Sequence, residues 1–165
     1  MSKLQSRLLV FFLGLPAIAA LIVLLPHARH LGLNIAITLI LVVGCDELIG
    51  LFRHRSHAVH RRVVVPLSVA APVSTYLHVI GLIGDAAYAG CLLAPFFLVA
   101  LWHTLRPHGT TFADVLPGVA ADFAALLYPG YFGLFLIRLA AQPDPVYVYL
   151  AFFSRGFAND TSAYV

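Results

Sequence analysis

Four of the seven acidic side chains in this 165-residue chain, Asp46, Glu47, Asp122 and Asp160, fall inside long apolar runs. A carboxylate at the centre of a hydrocarbon layer costs ~2.5–3.5 kcal/mol on insertion scales, so each such group must pair, face a protein interior or carry function. The other three, Asp85, Asp114 and Asp144, fall between the runs, where water solvates them. The densest polar group is near the end: Phe152-Phe153-Ser154-Arg155-Gly156-Phe157-Ala158-Asn159-Asp160-Thr161-Ser162-Ala163-Tyr164-Val165. In a helix Arg155 and Asn159 share one face and Asp160 is the adjacent position. A cation, an amide and a carboxylate within a turn and a half can pair with phosphate and offer hard oxygen ligands. That is the donor set Mg²⁺ takes, one or two carboxylates plus substrate phosphates. The competing reading is an Arg155–Asp160 pair that only neutralises itself.

The other acids are less distinctive. Glu47 stands about 7.5 Å from the end of its run at 1.5 Å per residue. Snorkelling of Asp46 and Glu47, or a salt bridge to Arg53 or Arg55, competes there with a role in a site. Asp122 starts roughly 10 Å from the same end and must face the protein interior, as a metal ligand or a structural partner. His54-x-x-His57-x-x-His60 has a superficially metal-like spacing. Positions i, i+3 and i+6 do not converge on one helix face, and four arginines between 53 and 62 oppose a cation. A basic loop that contacts anionic headgroups or fixes topology is the preferred reading. His78 and His103 read as hydrogen-bonded packing residues, and Cys45 and Cys91 imply no redox role.

These groups need apolar elements to position them, and the composition supplies little else. The chain is 61% hydrophobic and 10% charged, against roughly 25% charged in soluble domains, which excludes a soluble enzyme, a disordered tail and a nucleic-acid binder. Two cysteines exclude a disulfide framework and a four-thiolate zinc site. Runs of about 17–25 apolar residues are long enough to cross a bilayer. Leu8–Leu25, Leu31–Phe52, Val63–Ile83, Ala86–Leu105 and Val115–Ile137 meet that length. A sixth run from Val146 to Val165 turns polar before it finishes. The expected fold is therefore all-α, a polytopic transmembrane helical bundle of about six spans forming one unit over residues 1–165. The first run lacks a small-x-small cleavage site and is read as a span rather than a signal peptide.

With the N-terminus cytoplasmic, the inner segments hold Lys3, Arg7, Arg53, Arg55, Arg61, Arg62 and Arg106. The outer loops then hold only Arg29 and Arg138, a positive-inside bias. The net charge of +3 accordingly concerns a membrane surface. Pro16, Pro66, Pro72, Pro95, Pro117 and Pro129 predict kinked, mutually packed helices. Small residues in the fifth run (Gly118, Ala120, Ala121, Ala124, Ala125, Gly130, Gly133) predict close helix contacts. The chain contains no Gly-rich phosphate loop, no Gly-x-Ser-x-Gly elbow and no His-Glu-x-x-His.

The run Phe157-Ala158-Asn159-Asp160-Thr161-Ser162-Ala163-Tyr164 resembles the Asn-Asp-Thr-x-Ala-Tyr block of the CDP-diacylglycerol synthases, or phosphatidate cytidylyltransferases. Arg7-Leu8-Leu9-Val10-Phe11 followed by Pro16, Gly44-Cys45-Asp46-Glu47-Leu48 and Tyr128-Pro129-Gly130 are similar to other parts of that family. Only the Asn-Asp-Thr block is specific. The family's later signature, with Lys-Asp, His-Gly-Gly and Asp-Arg-x-Asp, does not occur here. The resemblance therefore implies the N-terminal portion of such an enzyme, inactive alone. The implied reaction joins CTP and phosphatidate to give CDP-diacylglycerol and pyrophosphate. A phosphatidate oxygen attacks the α-phosphorus of CTP while Mg²⁺ offsets charge. Asp160 is the implied catalytic metal contact, and Asn159 and Thr161 would orient it or touch phosphate. Arg155, as a phosphate-binding group, and Glu47 and Asp122 rest on position alone. The implied partners are CTP, phosphatidate and the lipid bilayer, with a homodimer allowed and nucleic acid excluded. The implied location is a bacterial inner membrane. The alternative from another class is a small ion- or proton-coupled transporter or channel subunit whose path is lined by Asp46, Glu47, Asp122 and Asp160.

Overall fold

A computed structural model describes residues 13–54, 59–106 and 112–162, all-helical with no strand among the described residues. The helices are α1 (Leu15–Leu24), α2 (His27–His54), α3 (Arg61–Ser68), α4 (Ala70–Val79), α5 (Asp85–Leu105), α6 (Phe112–Ala125), α7 (Phe132–Arg138) and α8 (Pro145–Ser162). A π-helical turn, Leu126–Tyr131, joins α6 to α7. Four stretches are long and apolar enough to cross a membrane: His27–His54, Arg61–Val79, Asp85–Leu105 and Val115–Ala141. They coincide with the second to fifth expected runs. The first run is described only from residue 13, and its residues 8–12 lie outside the described set. The sixth run forms α8, where Arg155, Asn159 and Asp160 lower the mean hydropathy. The chain divides into two compact units, Met1–Ile35 with Leu139–Val165, and Ala36–Arg138.

The second unit is apolar outside and partly polar inside. Leu39, Ile40, Leu93, Phe97, Phe132 and Phe135 are exposed, while Asp122, His103, Ser68, Ser74 and Thr75 are buried. Water would reverse that distribution, and hydrocarbon favours it. The core is built from Cys45, Ile49, Val64, Val99, Ala125 and Leu126, flanked by Leu48, Phe52, Phe96 and Phe123. Buried hydroxyls satisfy themselves locally. Ser74 Oγ donates to the Ala71 carbonyl at 3.1 Å and Thr75 Oγ1 to the same carbonyl at 2.7 Å.

Pro72 and Pro129 lie at interruptions of the helical path, whereas Pro66, Pro95 and Pro117 sit inside α3, α5 and α6. Pro72 has no N–H for the carbonyl of Ser68, four residues back, and the helical path steps between α3 and α4 at Val69. Gly130 packs beside that carbonyl, and a Cβ there would lie 3.4 Å from the Ser68 oxygen. Pro129 sits in the π turn, where its missing donor is absorbed by a wider loop of backbone. Gly133 approaches its neighbour more closely, since an added Cβ would fall 2.2 Å from Cδ1 of Leu41. Gly81, at φ +79°, closes the turn between α4 and α5 in a conformation that favours glycine.

In the first unit α1 packs on α8, with Ile22 and Tyr149 fully buried. Ala28, Arg29 and His30 have left-handed backbone, so right-handed helix begins at Leu31, the expected start of the second run. Left-handed turns cost L-residues roughly 1–2 kcal/mol each. Asn34 offsets part of this by donating Nδ2 to the carbonyls of Arg29 (2.9 Å) and His30 (3.0 Å). The His30 ring meets Tyr149 edge-on at 5.7 Å.

Candidate functional site

The buried polar centre of the second unit is Asp122, on α6, with a side chain 1% exposed. Its carboxylate accepts three hydrogen bonds. The backbone N–H of His60 reaches Oδ1 at 3.1 Å, Nδ1 of the same residue reaches Oδ2 at 3.1 Å, and Nε2 of His103 reaches Oδ2 at 2.8 Å. His60 and His103 are 13% and 4% exposed, and their rings meet edge-on with centroids 4.8 Å apart. Three ligating atoms from three elements thus lie within 4.8 Å of one another.

Local structure explains each contribution. His60 is the residue before α3, with φ −97° and ψ 74°, so its N–H is not used by that helix and points to the carboxylate. His103 is in the last turn of α5, the end that also carries Arg106. Arg106 stands over the Trp102 ring at 4.8 Å, and Trp102 meets His60 edge-on at 6.0 Å. His103 Nδ1 is buried with no hydrogen-bond partner. An orphaned buried nitrogen costs roughly 1–3 kcal/mol and is uncommon where packing alone sets the sequence.

Two expectations change here. His60 is not part of a solvated basic loop: its backbone and ring are both turned inward by Asp122, because a buried carboxylate must find donors. His54 is exposed at the end of α2, and His57 lies outside the described residues. Asp46 pairs with Arg61 rather than with Arg53, and Arg55 lies outside the described residues. The guanidinium lies against the carboxylate, with Nε beside Oδ1 and a terminal nitrogen donating to Oδ2 at 2.7 Å. Arg61 is the first residue of α3, so the folding of that helix brings it to α2.

The remaining candidates separate. Glu47 is exposed, on the residue after Asp46, and takes no part in the Asp122 cluster. Arg155 and Asn159 are exposed on α8, one turn apart as expected, and belong to the other unit. Asp160 and Thr161 continue that helix, but their side chains lie outside the described residues, as do Ala163 to Val165.

A second polar group occupies the other end of α4 and α5. His78 stacks on Tyr88 at 4.6 Å, with Nδ1 3.2 Å from the Ile83 carbonyl and Nε2 3.6 Å from Asp85. Thr75 Oγ1 is 3.2 Å from the Tyr88 hydroxyl. This agrees with His78 as a hydrogen-bonded packing residue. Compared with protein-family models, curated proteins and solved structures, the chain matches none of them.

Proposed function

We propose that the chain serves a phosphatidate cytidylyltransferase of a bacterial inner membrane, with six spans and a cytoplasmic N-terminus. The observation that carries this reading is the sequence block Asn159-Asp160-Thr161-Ser162-Ala163-Tyr164, whose first four residues form the polar end of an otherwise apolar helix. Arg155 and Asn159, exposed one turn apart on α8, support it as phosphate-facing groups. CTP reaches such a site from water and phosphatidate from the headgroup layer, so a polar helix end at the membrane boundary suits both. Asp160 would hold Mg²⁺, whose chemistry when bound is to offset charge on the transferring phosphoryl group. Asn159 and Thr161 orient the carboxylate and the phosphate oxygens, and Arg155 pairs with phosphate.

The test is Mg²⁺-dependent release of pyrophosphate from CTP in the presence of phosphatidate in mixed micelles, using the protein made from the complete reading frame. Activity that falls by at least about 100-fold in Asp160→Asn is expected from loss of a metal contact. Full activity in that variant overturns the site assignment, and no CTP turnover in the parent overturns the reaction.

A second reading, a small proton-coupled transporter, draws on Asp122, a buried carboxylate joined to two imidazoles. It requires proton-coupled flux in liposomes that disappears in Asp122→Asn.

A further inference from the structure

We propose that His60, His103 and Asp122 bind a divalent transition-metal ion, zinc foremost. The inference is independent of the nucleotidyltransferase reading and concerns different residues in a different unit. Two imidazole nitrogens and one carboxylate oxygen are the three-ligand set that open zinc sites use, with the fourth position left to water or substrate. Imidazole favours zinc and its neighbours over Mg²⁺, which takes oxygen ligands.

The geometry is close to what coordination needs. Ligands at about 2.0–2.2 Å from a tetrahedral ion lie about 3.3 Å from one another. Nε2 of His103 and Nδ1 of His60 are 2.8 and 3.1 Å from Oδ2 of Asp122, so an ion requires those pairs to open by a few tenths of an ångström, and the two ring nitrogens, within 4.8 Å of each other, to settle at the same spacing through side-chain rotation. The His60–Asp122 backbone contact holds Oδ1 and leaves Oδ2 turned to both rings. In the metal-bound form each imidazole takes the neutral tautomer whose proton is on the nitrogen away from Oδ2, so that the facing nitrogen presents its lone pair.

Charge near the cluster does not forbid a cation. Asp122 contributes one negative charge within the site, Arg61 is held by Asp46, and Arg106 lies on the face of Trp102. His60, the least buried ligand, marks the side from which an ion enters.

The test uses the full chain purified in detergent with an affinity tag that contains no histidine, stripped with chelator and titrated with Co²⁺. Visible d–d bands of a four- or five-coordinate ion are expected at about one equivalent and should be displaced by Zn²⁺. His103→Gln and Asp122→Asn keep hydrogen-bonding shape at their positions, and each should weaken Co²⁺ binding by at least about 100-fold. His54→Gln, at an exposed helix end, should leave the titration unchanged. Absence of bands in the parent chain overturns the site whatever the variants do. Bands that persist in both His103→Gln and Asp122→Asn place the ion elsewhere and overturn it equally.

Discussion

His103 and Asp122, 19 residues apart on different helices, meet at 2.8 Å between Nε2 and Oδ2 with 4% and 1% of their side chains exposed. His60, 62 residues from Asp122, completes the contact from the start of α3. A unit whose outer surface is apolar thus closes its interior with a polar knot. Removal of any one member leaves the others desolvated, and the following outcomes depend on that asymmetry.

Asp122→Ala deprives three donors of their acceptor inside a near-dry interior. Each buried donor left without an acceptor costs about 1–3 kcal/mol, so the three together should cost at least about 3 kcal/mol. We expect unfolding in detergent, followed by SDS titration, to shift by that amount. Asp122→Asn keeps one acceptor oxygen and the volume, and should lose about 1–3 kcal/mol. Pairing Asp122→Ala with His103→Ala should show coupling of about 0.5–3 kcal/mol, since the histidine's donor is no longer left behind.

Asp46 and Arg61 give the contrasting case. The pair is well formed, but the arginine is 60% exposed and the aspartate 34%. Exposed ion pairs contribute about 0–1 kcal/mol and are screened by salt. Asp46→Asn should therefore change the melting temperature little, and less still at high ionic strength. A loss as large as that for Asp122→Asn would mean that the pair is dry in the folded protein.

The two carboxylates also show what the sequence made legible. Apolar runs and prolines located the helices well: Ala86–Leu105 was expected and Asp85–Leu105 is observed, and the broken backbone at Pro72 and Pro129 followed from missing donors. The cost of burying Asp122 marked it as an interior group. Its partners were not legible. Spacing rules connect residues three or four apart, and His60 was weighed with His54 and His57 when its true neighbours lie on other helices. Arg61 escaped as the partner of Asp46 for the same reason, with nearer arginines in sequence satisfying the local rule.

Gly133 should be sensitive to an added side chain. Its Cβ position is 2.2 Å from Cδ1 and 2.8 Å from Cγ of Leu41, so alanine forces the leucine aside. Overpacking of this kind costs about 1–3 kcal/mol. Leu41→Ala combined with Gly133→Ala should recover part of the loss, because the clash is with the tip of one flexible side chain. Thermal denaturation of the two single variants and the double variant reads this directly, and additive losses would exclude the contact.

Cys45 is buried in the core and Cys91 is exposed on α5. In detergent, a small maleimide should modify one thiol per chain, mapped by mass spectrometry to Cys91. The second should react only after denaturation. In native membranes a charged thiol reagent should fail at Cys91, since that residue stands six positions into an apolar helix and a charged reagent does not enter hydrocarbon. Rapid labelling there by the charged reagent would place this part of α5 in water.

Basic residues set the last expectation, which concerns orientation. Arg53 at the end of α2, Arg61 and Arg62 at the start of α3, and Arg106 at the end of α5 adjoin helix ends that the chain order places on one side, while the Gly81–Gly84 turn joins the opposite ends of α4 and α5. Positive residues in short loops are retained in the cytoplasm. With Cys45→Ala and Cys91→Ser as background, His54→Cys should be shielded from an impermeant maleimide applied to intact cells, and Gly84→Cys should react. Both positions are exposed, so folding does not hide either. Inverted vesicles should exchange the two results. The reverse pattern in both preparations would turn the His60–His103–Asp122 end outward.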